Sequence, residues 1–232
     1  MSSPIPNRLA TEIVKTPIGS FMILSGDLLG GHIKRGDPWE PHFTRIVQNT
    51  VPQGAQVLDI GANFGLNTLV LANAVGSSGV VVAVEPVRII FQQLCGNCFL
   101  NGLVNVLTLN AAVGASPGVA EMNPVNYFAT NWNFGDNQLG SGGERVQMIT
   151  IDGARQTLFT ARPVIFIEIE EAQLQQRGTN GQAVIDLLKS LGYILIHIRN
   201  DYPVDYLCLP IERKAEIANY QSLIEHPTTV LE

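Results

Sequence analysis

One stretch of the chain constrains its fold more than any other, because strand and helix patterns alternate there around glycines. An apolar strand, 56–60, runs into a glycine-bearing turn, and a helical pattern begins at Leu66. A second apolar strand, 80–84, ends directly before the acidic residue Glu85. Strand, glycine turn, helix, strand and acid in this order are typical of a nucleotide-type cofactor site, which lies at the carboxyl edge of a parallel sheet.

The same alternation continues along the chain and predicts the fold class. Near-continuous Val, Ile and Leu strands between amphipathic helices predict an α/β fold, with a doubly wound, Rossmann-like, seven-stranded, mostly parallel sheet and helices on both faces. The predicted strands are 56–60, 80–85, 105–113, 146–152, 163–169, 193–198 and 205–209. The predicted helices are 41–49, 66–74, 87–100, 154–159 and 183–191, the last of them stopped by Gly192.

Strand and turn patterns divide the chain into two predicted parts. Residues 1–50 are expected to form a short β-rich N-terminal extension, made of strand, loop and helix, that packs on the core. Residues 51–232 are expected to form the cofactor-binding domain. Within that domain Ser, Gly, Pro and Asn dominate residues 115–144, so we expect an inserted loop or hairpin there.

Charge and composition exclude several classes of partner. The chain has 232 residues, a net charge of −6 and a pI near 5.2, whereas a nucleic-acid surface is normally basic. Its apolar runs are too short to cross a bilayer, and its first residues lack the apolar core of a signal peptide. We therefore expect a cytoplasmic protein with no nucleic-acid and no membrane partner, and a homodimer stays open beside a monomer.

The cysteines form a Cys-x-x-Cys pattern that redox and zinc proteins also use. The residues that recur there at three- and four-residue steps are Ile90, Phe91, Leu94, Cys95, Cys98 and Phe99. That spacing predicts one buried face of a helix. A zinc site needs further ligands, and only Cys208 and four scattered histidines remain. We expect no metal.

Two cofactor classes fit a strand–glycine–helix unit. Dinucleotides use Gly-x-Gly-x-x-Gly, whereas the spacing here is Gly61-x-x-x-Gly65 with Asp59 just before it. A carboxylate at that position would repel a diphosphate. S-adenosylmethionine carries no phosphate, and acids on adjacent strand ends suit its ammonium, sulfonium and ribose hydroxyls. The pattern favours this cofactor, with Asp59 facing the aminocarboxylate end and Glu85 accepting both ribose hydroxyls; a nicotinamide-dependent oxidoreductase is the alternative.

The chain also resembles a known family, the FkbM-type methyltransferases, which are class I S-adenosylmethionine-dependent enzymes. The similarity covers most of residues 19–209. The motifs that carry it are Val57-Leu58-Asp59-Ile60-Gly61-Ala62-Asn63-Phe64-Gly65-Leu66-Asn67-Thr68-Leu69, Val82-Ala83-Val84-Glu85-Pro86, Leu94-x-x-Asn97-x-x-x-Asn101, Asn110-Ala111-Ala112-Val113-Gly114, Trp39-Glu40-Pro41 and Leu187-Leu188-x-x-Leu191-Gly192-Tyr193. The resemblance implies that residues 51–232 are a methyltransferase domain. It also implies O-methylation of a hydroxyl on a small molecule or glycan.

The charge pattern and the resemblance together give a set of candidate cofactor-binding residues. They are Asp59, Gly61, Ala62, Asn63, Gly65, Asn67, Glu85, Pro86, Asn110, Ala111 and Glu40. Two of the asparagines also have a structural interpretation. Asn63 can hold the backbone of the glycine turn, and Asn110 can be a satisfied turn residue.

The fourth strand is where the chain departs from the family pattern, and two alignments are open. In the preferred one, residues 149–153 are a shortened fourth-strand motif and 163–168 the next strand. Asp152 then lies beside the methyl group as the candidate base, unless it caps the following helix. In the other, residues 166–171 are the degenerate motif and a following strand is lost, so that Glu168 is the candidate. The departure leaves a non-catalytic S-adenosylmethionine-binding module as a further alternative.

Overall fold

The computed structural model describes residues 8–37, 40–114, 116–135, 137–150, 155–169, 171–175, 180–197, 204–218 and 230–231. The strands are β1 (Thr11–Thr16), β2 (Gly19–Leu24), β3 (Gln56–Ile60), β4 (Val80–Val84), β5 (Val106–Leu109), β6 (Ala111–Gly114), β7 (Gly118–Glu121), β8 (Arg145–Thr150), β9 (Ile165–Ile169), β10 (Tyr193–His197), β11 (Val204–Pro210) and β12 (Val230–Leu231). The helices are α1 (Leu28–Arg35), α2 (Pro41–Thr50), α3 (Leu66–Val75), α4 (Arg88–Leu100), α5 (Arg155–Ala161), α6 (Glu171–Gln175) and α7 (Gly181–Ser190), followed by a 3-10 helix (Ile211–Glu216).

The central sheet has seven strands in the order β12-β10-β11-β9-β3-β4-β5. The pairs β3–β4, β4–β5 and β3–β9 are parallel, and the pairs β9–β11, β10–β11 and β10–β12 are antiparallel. The prediction of a mostly parallel sheet is therefore wrong, and the sheet is mixed. The connection between β10 and β11 is too short for the crossover that a parallel pair needs, so β11 folds back antiparallel to β10.

A second sheet, of three strands in the order β6-β8-β7, contradicts the preferred alignment of the fourth strand. The segment predicted as that strand, 146–152, contains most of β8, which pairs with β6 and β7 and not with the central sheet. The neighbour of β3 is instead β9, where Leu58 pairs with Ile165. The other alignment, in which residues 166–171 are the degenerate fourth-strand motif and a following strand is lost, is the one that the strand order supports.

The predicted strand 105–113 is two strands in two different sheets. Val106–Leu109 pairs with β4 in the central sheet, and Ala111–Gly114 pairs with β8 in the second sheet. Asn110 lies at the break, where its side-chain Nδ2 donates to the main-chain oxygens of Glu85 at 2.8 Å and of Pro86 at 3.1 Å. These bonds hold the break against the end of β4.

All five predicted helices are present, with ends within two residues of the predicted ones. Gly192, predicted to stop the last of them, lies two residues after the end of α7 with a φ of 77°. The sequence analysis missed α1 and the short α6. Helix α1 carries ordinary end signals, because the Asp27 side chain accepts a bond from the Gly30 amide at 2.6 Å and Gly36 closes it with a φ of 76°.

The N-terminal hairpin β1–β2 is attached to α4 through two asparagines, Asn97 within the helix and Asn101 just after its end. Asn97 accepts from the Met22 amide at 2.7 Å and donates to the Met22 carbonyl at 3.3 Å. Asn101 accepts from the Ser20 amide at 2.8 Å and donates to its carbonyl at 2.7 Å. Each side-chain amide thus takes the place of a neighbouring strand along the edge of β2.

The hairpin, the glycine turn and the second sheet share one apolar core. Phe21 of β2 and Phe64 of the turn meet edge to face, with ring centroids 6.1 Å apart. Phe134 of the insert and Val146 of β8 are buried in the same cluster. The glycine turn is therefore packed between the N-terminal hairpin and the insert that follows β7.

The face of α4 that carries the cysteines differs in part from the prediction. Cys98 is buried and Cys95 is half-buried, but Phe99 is 89% exposed, so its assignment to the buried face is wrong. The buried face is completed by the polar residues Gln93 and Asn97, because their amides bond to β2. Among the described residues, none of the helices combines the length and the hydropathy that crossing a bilayer requires.

Candidate functional site

The glycine turn after β3 is closed onto the end of β4 by main-chain bonds. The amides of Gly61 and Ala62 both donate to the Val84 carbonyl, at 2.9 and 3.0 Å. Gly61 has a φ of 78°, and a Cβ built on it would meet no atom within 4 Å. Gly65 has a φ of 98°, and its Cβ would lie 2.8 Å from Leu94 Cδ1. Gly61 therefore faces open space at the sheet edge, and Gly65 packs closely against α4.

Glu85 holds the same turn with its side chain. Oε2 accepts from the Asn63 amide at 2.9 Å, and Oε1 accepts from the Val87 amide at 2.8 Å. The residue is only 1% exposed. Burial raises the pKa of Glu85 to about 7, against the lowering by its two amide donors, and the charge of Asp59 raises it slightly further. Each carboxylate oxygen keeps a second lone pair, which a hydroxyl ligand could use.

Asp59 lies near the end of β3, where it pairs with Ala83 of β4, two residues before Glu85. Its Oδ2 accepts from the Thr68 hydroxyl at 2.6 Å. Burial raises the pKa of Asp59 to about 6, although the Thr68 bond lowers it. Thr68 is fully buried in the first turn of α3 and was missed as a site residue. Its position in the first turn of the helix that follows β3 could have indicated a contact with Asp59.

The other polar candidates around the turn are linked to it by weaker contacts. Asn63 has a φ of 51°, and its Oδ1 accepts from the Phe64 amide at 2.8 Å, which favours the turn-holding interpretation. Asn67 Nδ2 lies 3.4 Å from Glu40 Oε2. Glu40 itself has a φ of 44° at the start of α2. The structure thus brings Glu40 to the first turn of α3, and its role in cofactor binding stays a prediction.

Residues 126–135, which we call the covering segment, reach the turn from the insert. Asn63 Nδ2 donates to Asn133 Oδ1 at 3.4 Å, and a Cβ on Gly135 would collide with the Asn63 amide. Phe134 is fully buried, and its amide donates to Asp27 Oδ1 at 3.3 Å. Burial raises the pKa of Asp27 while its bonds from Gly30 and Phe134 lower it. The sequence analysis missed these contacts, because the insert lies far from the turn in sequence.

The covering segment also carries aromatic side chains at the surface. Trp132 and Phe128 are each 58% exposed, while Tyr127 packs against Phe134 with ring centroids 5.7 Å apart. Trp132 precedes Asn133 directly. The exposed indole therefore lies one residue away from the contact with the glycine turn.

The remaining candidates divide between the site and its surroundings. Pro86 follows Glu85 and is held by Asn110, whereas Ala111 is buried at the start of β6 and leads away into the second sheet. The base candidate Asp152 lies outside the described residues, as does Trp39. Of Glu168 only the main chain in β9 is described. Glu171 accepts from the Gly181 amide at 2.7 Å and so holds the start of α7.

Two surface grooves lie away from the glycine turn. One, of about 330 Å³, runs between Ile18, Gln48 and Asn73, and the other, of about 270 Å³, lies behind the covering segment near Arg8 and Thr130. Neither includes a candidate cofactor residue. In the described part of the chain no group of three or more His, Cys, Asp or Glu side chains could hold a metal ion.

Comparison with known proteins gives one family match. Residues 41–131 match the family model of protein-L-isoaspartate (D-aspartate) O-methyltransferase. This span is less than half of the chain, but it contains the glycine turn, both carboxylates and most of the covering segment. The central part of the chain is thus similar to a methyltransferase family. The family model that matches is not that of the FkbM-type enzymes, so the FkbM resemblance stays a prediction. No curated protein matches the chain.

Solved structures are more distant. A predicted rRNA-methylase from Clostridium thermocellum is 13% identical with a TM-score of 0.41, over 79% of this chain and 95% of that one. TYW2 from M. jannaschii in complex with AdoMet is 14% identical with a TM-score of 0.42, over 89% and 90%. A SAM-dependent methyltransferase from Agrobacterium tumefaciens is 18% identical with a TM-score of 0.33, over 47% of this chain and only 35% of that one. With TM-scores below 0.5, none of these similarities bears on the function of this chain.

Proposed function

We propose that the chain is an S-adenosylmethionine-dependent methyltransferase that methylates a hydroxyl oxygen of a small molecule or glycan. One observation carries the proposal: the acids Asp59, near the end of β3, and Glu85, just past the end of the parallel β4, lie two register positions apart, next to the open side of Gly61. Among the described residues neither has a Lys or Arg partner. The family-model match over residues 41–131 supports the same reaction class.

Charge decides between the two cofactor classes. Burial disfavours ionisation of both carboxyls and raises their pKa values, to about 6 for Asp59 and about 7 for Glu85. A nearby positive charge favours the ionised form of each, whereas a pyrophosphate would oppose it. A cationic, phosphate-free ligand therefore gains attraction at this end of the sheet, and a dinucleotide gains repulsion.

The residues of the turn have separate roles in holding such a ligand. Glu85 is aligned by two main-chain amides, so its free lone pairs are fixed in direction for the ribose hydroxyls. Gly61 leaves space at the sheet edge for the ligand to approach the main chain. Asn67 and Glu40 line the helix side of the turn, where the methionine portion would lie.

The register of the sheet favours Glu168 over Asp152 as the base. Leu58 pairs with Ile165, so continuing the parallel register by three residues puts Glu168 level with Gly61. Asp152 was placed at the site through a strand that belongs to the second sheet. The cofactor supplies an activated methyl group for in-line displacement, and the chain must align the acceptor and take its proton. We assign the proton to Glu168.

The covering segment is the acceptor side in this proposal. It reaches the turn through Asn133 and presents the exposed Trp132 and Phe128 beside it. An exposed indole next to asparagine amides can stack on a ring and bond to its hydroxyls at the same time.

Thermal unfolding with each cofactor tests the proposal. S-adenosylmethionine at a hundred times its dissociation constant stabilises the folded chain by about 2.7 kcal/mol, which raises Tm by roughly 5 to 10 °C in a chain of this size. NAD and NADP are expected to give no shift. A shift with NAD and none with S-adenosylmethionine would reverse the assignment to a nicotinamide-dependent oxidoreductase.

Turnover separates an enzyme from a module that only binds the cofactor. Methyl transfer from labelled S-adenosylmethionine should be measured on a panel of hydroxylated small molecules and glycans. An isoaspartyl peptide belongs in the panel because of the family match. Label on a hydroxyl acceptor is the expected result, label on the peptide would move the acceptor to a carboxylate, and binding without any transfer would favour the module.

A further inference from the structure

A long uncharged stretch follows the candidate site. Between Arg88 and Glu121 the sequence contains no Asp, Glu, Lys, Arg or His, although 15% of all residues in the chain are charged. The stretch includes most of α4, all of β5 and all of β6. The chain as a whole carries a net charge of −6. This stretch is therefore a place where two copies can meet without bringing carboxylates together.

Exposed apolar side chains are concentrated in the same stretch. Of the twelve large apolar side chains that are exposed among the described residues, five lie within eleven consecutive residues. They are Phe99 at 89%, Leu100 at 39%, Val104 at 93%, Leu107 at 59% and Leu109 at 45% exposure. Val106 packs against the buried cluster that includes Leu94 and Cys98 of α4, so Leu107 and Leu109 lie together on the other face of β5. Exposed apolar side chains that lie together mark surfaces that other molecules cover.

The strand that carries two of these side chains is an edge of the central sheet. In the described part of the chain β5 pairs with β4 and has no neighbour on its other side. The carbonyl of Asn105 accepts from the Val81 amide, and the carbonyl of Leu109 accepts from the Glu85 amide. Because hydrogen-bonding groups alternate along a strand, the main-chain groups of Val106 and Thr108 point away from β4. Monomeric proteins protect such an edge with Lys, Pro or a bulge, and β5 has none of them.

We propose that two copies of the chain associate through β5, paired antiparallel across a two-fold axis. An edge strand is complementary to itself in this arrangement, because the outward amides and carbonyls of one copy meet those of the other. With the axis at Leu107, this side chain packs against its counterpart, and Leu109 lies diagonally from it on the same face of the joined sheets. The proposal does not depend on the cofactor or on the reaction.

Sedimentation equilibrium of the full-length chain at micromolar concentration tests the pairing. The expected mass is twice the chain mass of 25.1 kDa. Leu107→Lys should move the mass toward that of the single chain, because the axis would bring two lysines together and raise the dimer Kd on the order of tenfold or more. Ile13→Lys is the matched control, since Ile13 on β1 is 60% exposed and Leu107 is 59% exposed. The control should remain a dimer.

A second variant separates strand pairing from simple apolar contact. Thr108→Pro removes an outward amide without adding charge, at a position where an edge strand tolerates proline. It should also weaken the dimer at least about tenfold, with circular dichroism showing that it is folded. A single-chain mass for the unchanged protein, a dimer that survives Leu107→Lys, or a dimer lost equally in Ile13→Lys would overturn the proposal. A folded Thr108→Pro chain that dimerises normally would overturn the strand pairing.

Discussion

The main-chain amide of Asn63 donates to the carboxylate of Glu85 at 2.9 Å, and this bond ties the glycine turn after β3 to the end of β4. The same carboxylate accepts from the Val87 amide at 2.8 Å. Glu85 is therefore a structural acceptor for two main-chain donors as well as a candidate ligand for the cofactor. Its two roles are coupled, since any change that frees the turn also removes the alignment of the carboxylate.

Glu85→Ala should weaken S-adenosylmethionine binding by about a hundredfold or more and lower the free energy of unfolding by about 1 to 3 kcal/mol, because two buried amides lose their acceptor. Calorimetric titration and urea unfolding give the two quantities. Glu12→Ala is the control, since its exposed pair with Lys34 should change both by little. Undiminished affinity in Glu85→Ala would remove Glu85 from the site.

Asp59→Asn should make the protein more stable at pH 8 while weakening cofactor binding. The folded-state pKa of Asp59 is about 6, above its ordinary value of 3.8. The carboxyl therefore contributes stability that is complete below pH 4 and is lost as pH rises through 6. The amide keeps an oxygen for the Thr68 hydroxyl and never ionises, so at pH 8 the variant should unfold with a free energy about 1 to 3 kcal/mol higher.

Urea unfolding of both proteins from pH 4.5 to pH 8 measures this difference. The two stability curves should separate as pH rises, and the pKa of Glu85 should fall in the variant because the neighbouring charge is gone. Parallel curves would show that Asp59 ionises in the folded protein as easily as in the unfolded chain.

The local parts of the site could be predicted from the sequence. The turn from Gly61 to Gly65 and the acid after β4 are set by residues close together in the chain, and the structure has them as predicted. The antiparallel return of β11 could also have been predicted, because the predicted strands 193–198 and 205–209 leave too few residues for a crossover.

The long-range parts could not be predicted in the same way. A strand pattern such as that of β8 specifies a strand, but not the sheet that it joins, and the break at Asn110 sends β6 to the second sheet. The contact of Asn63 with Asn133 joins residues 70 positions apart. No local pattern in the insert specifies that contact. The covering segment reaches the turn because Phe134 packs in the core.

Gly135→Ala should weaken cofactor binding through Asn63. The φ of Gly135 is not in the left-handed region, so alanine adds no backbone strain, but its Cβ would displace the Asn63 amide. Asn63 would lose its bonds to Asn133 and to the Phe64 amide. We expect the affinity for the cofactor to fall about tenfold and the free energy of unfolding to fall by about 1 kcal/mol. In the control Gly118→Ala the new Cβ meets no atom within 4 Å and both quantities should be unchanged. Equal behaviour of the two variants would show that the covering segment does not position Asn63.

Asn97→Ala should be among the most destabilising single changes in the chain. Its side chain is fully buried, accepts from the Met22 amide at 2.7 Å and donates to the Phe64 carbonyl at 2.8 Å. Alanine leaves the Met22 amide and the Phe64 carbonyl without these bonds, which should lower the free energy of unfolding by about 2 to 4 kcal/mol. Asn49→Ala, on the exposed face of α2, should change it by less than about 0.5 kcal/mol. Because Asn97 joins β2 to the glycine turn, the variant should also lose cofactor affinity, and an intact site in a destabilised chain would show that the hairpin does not support the turn.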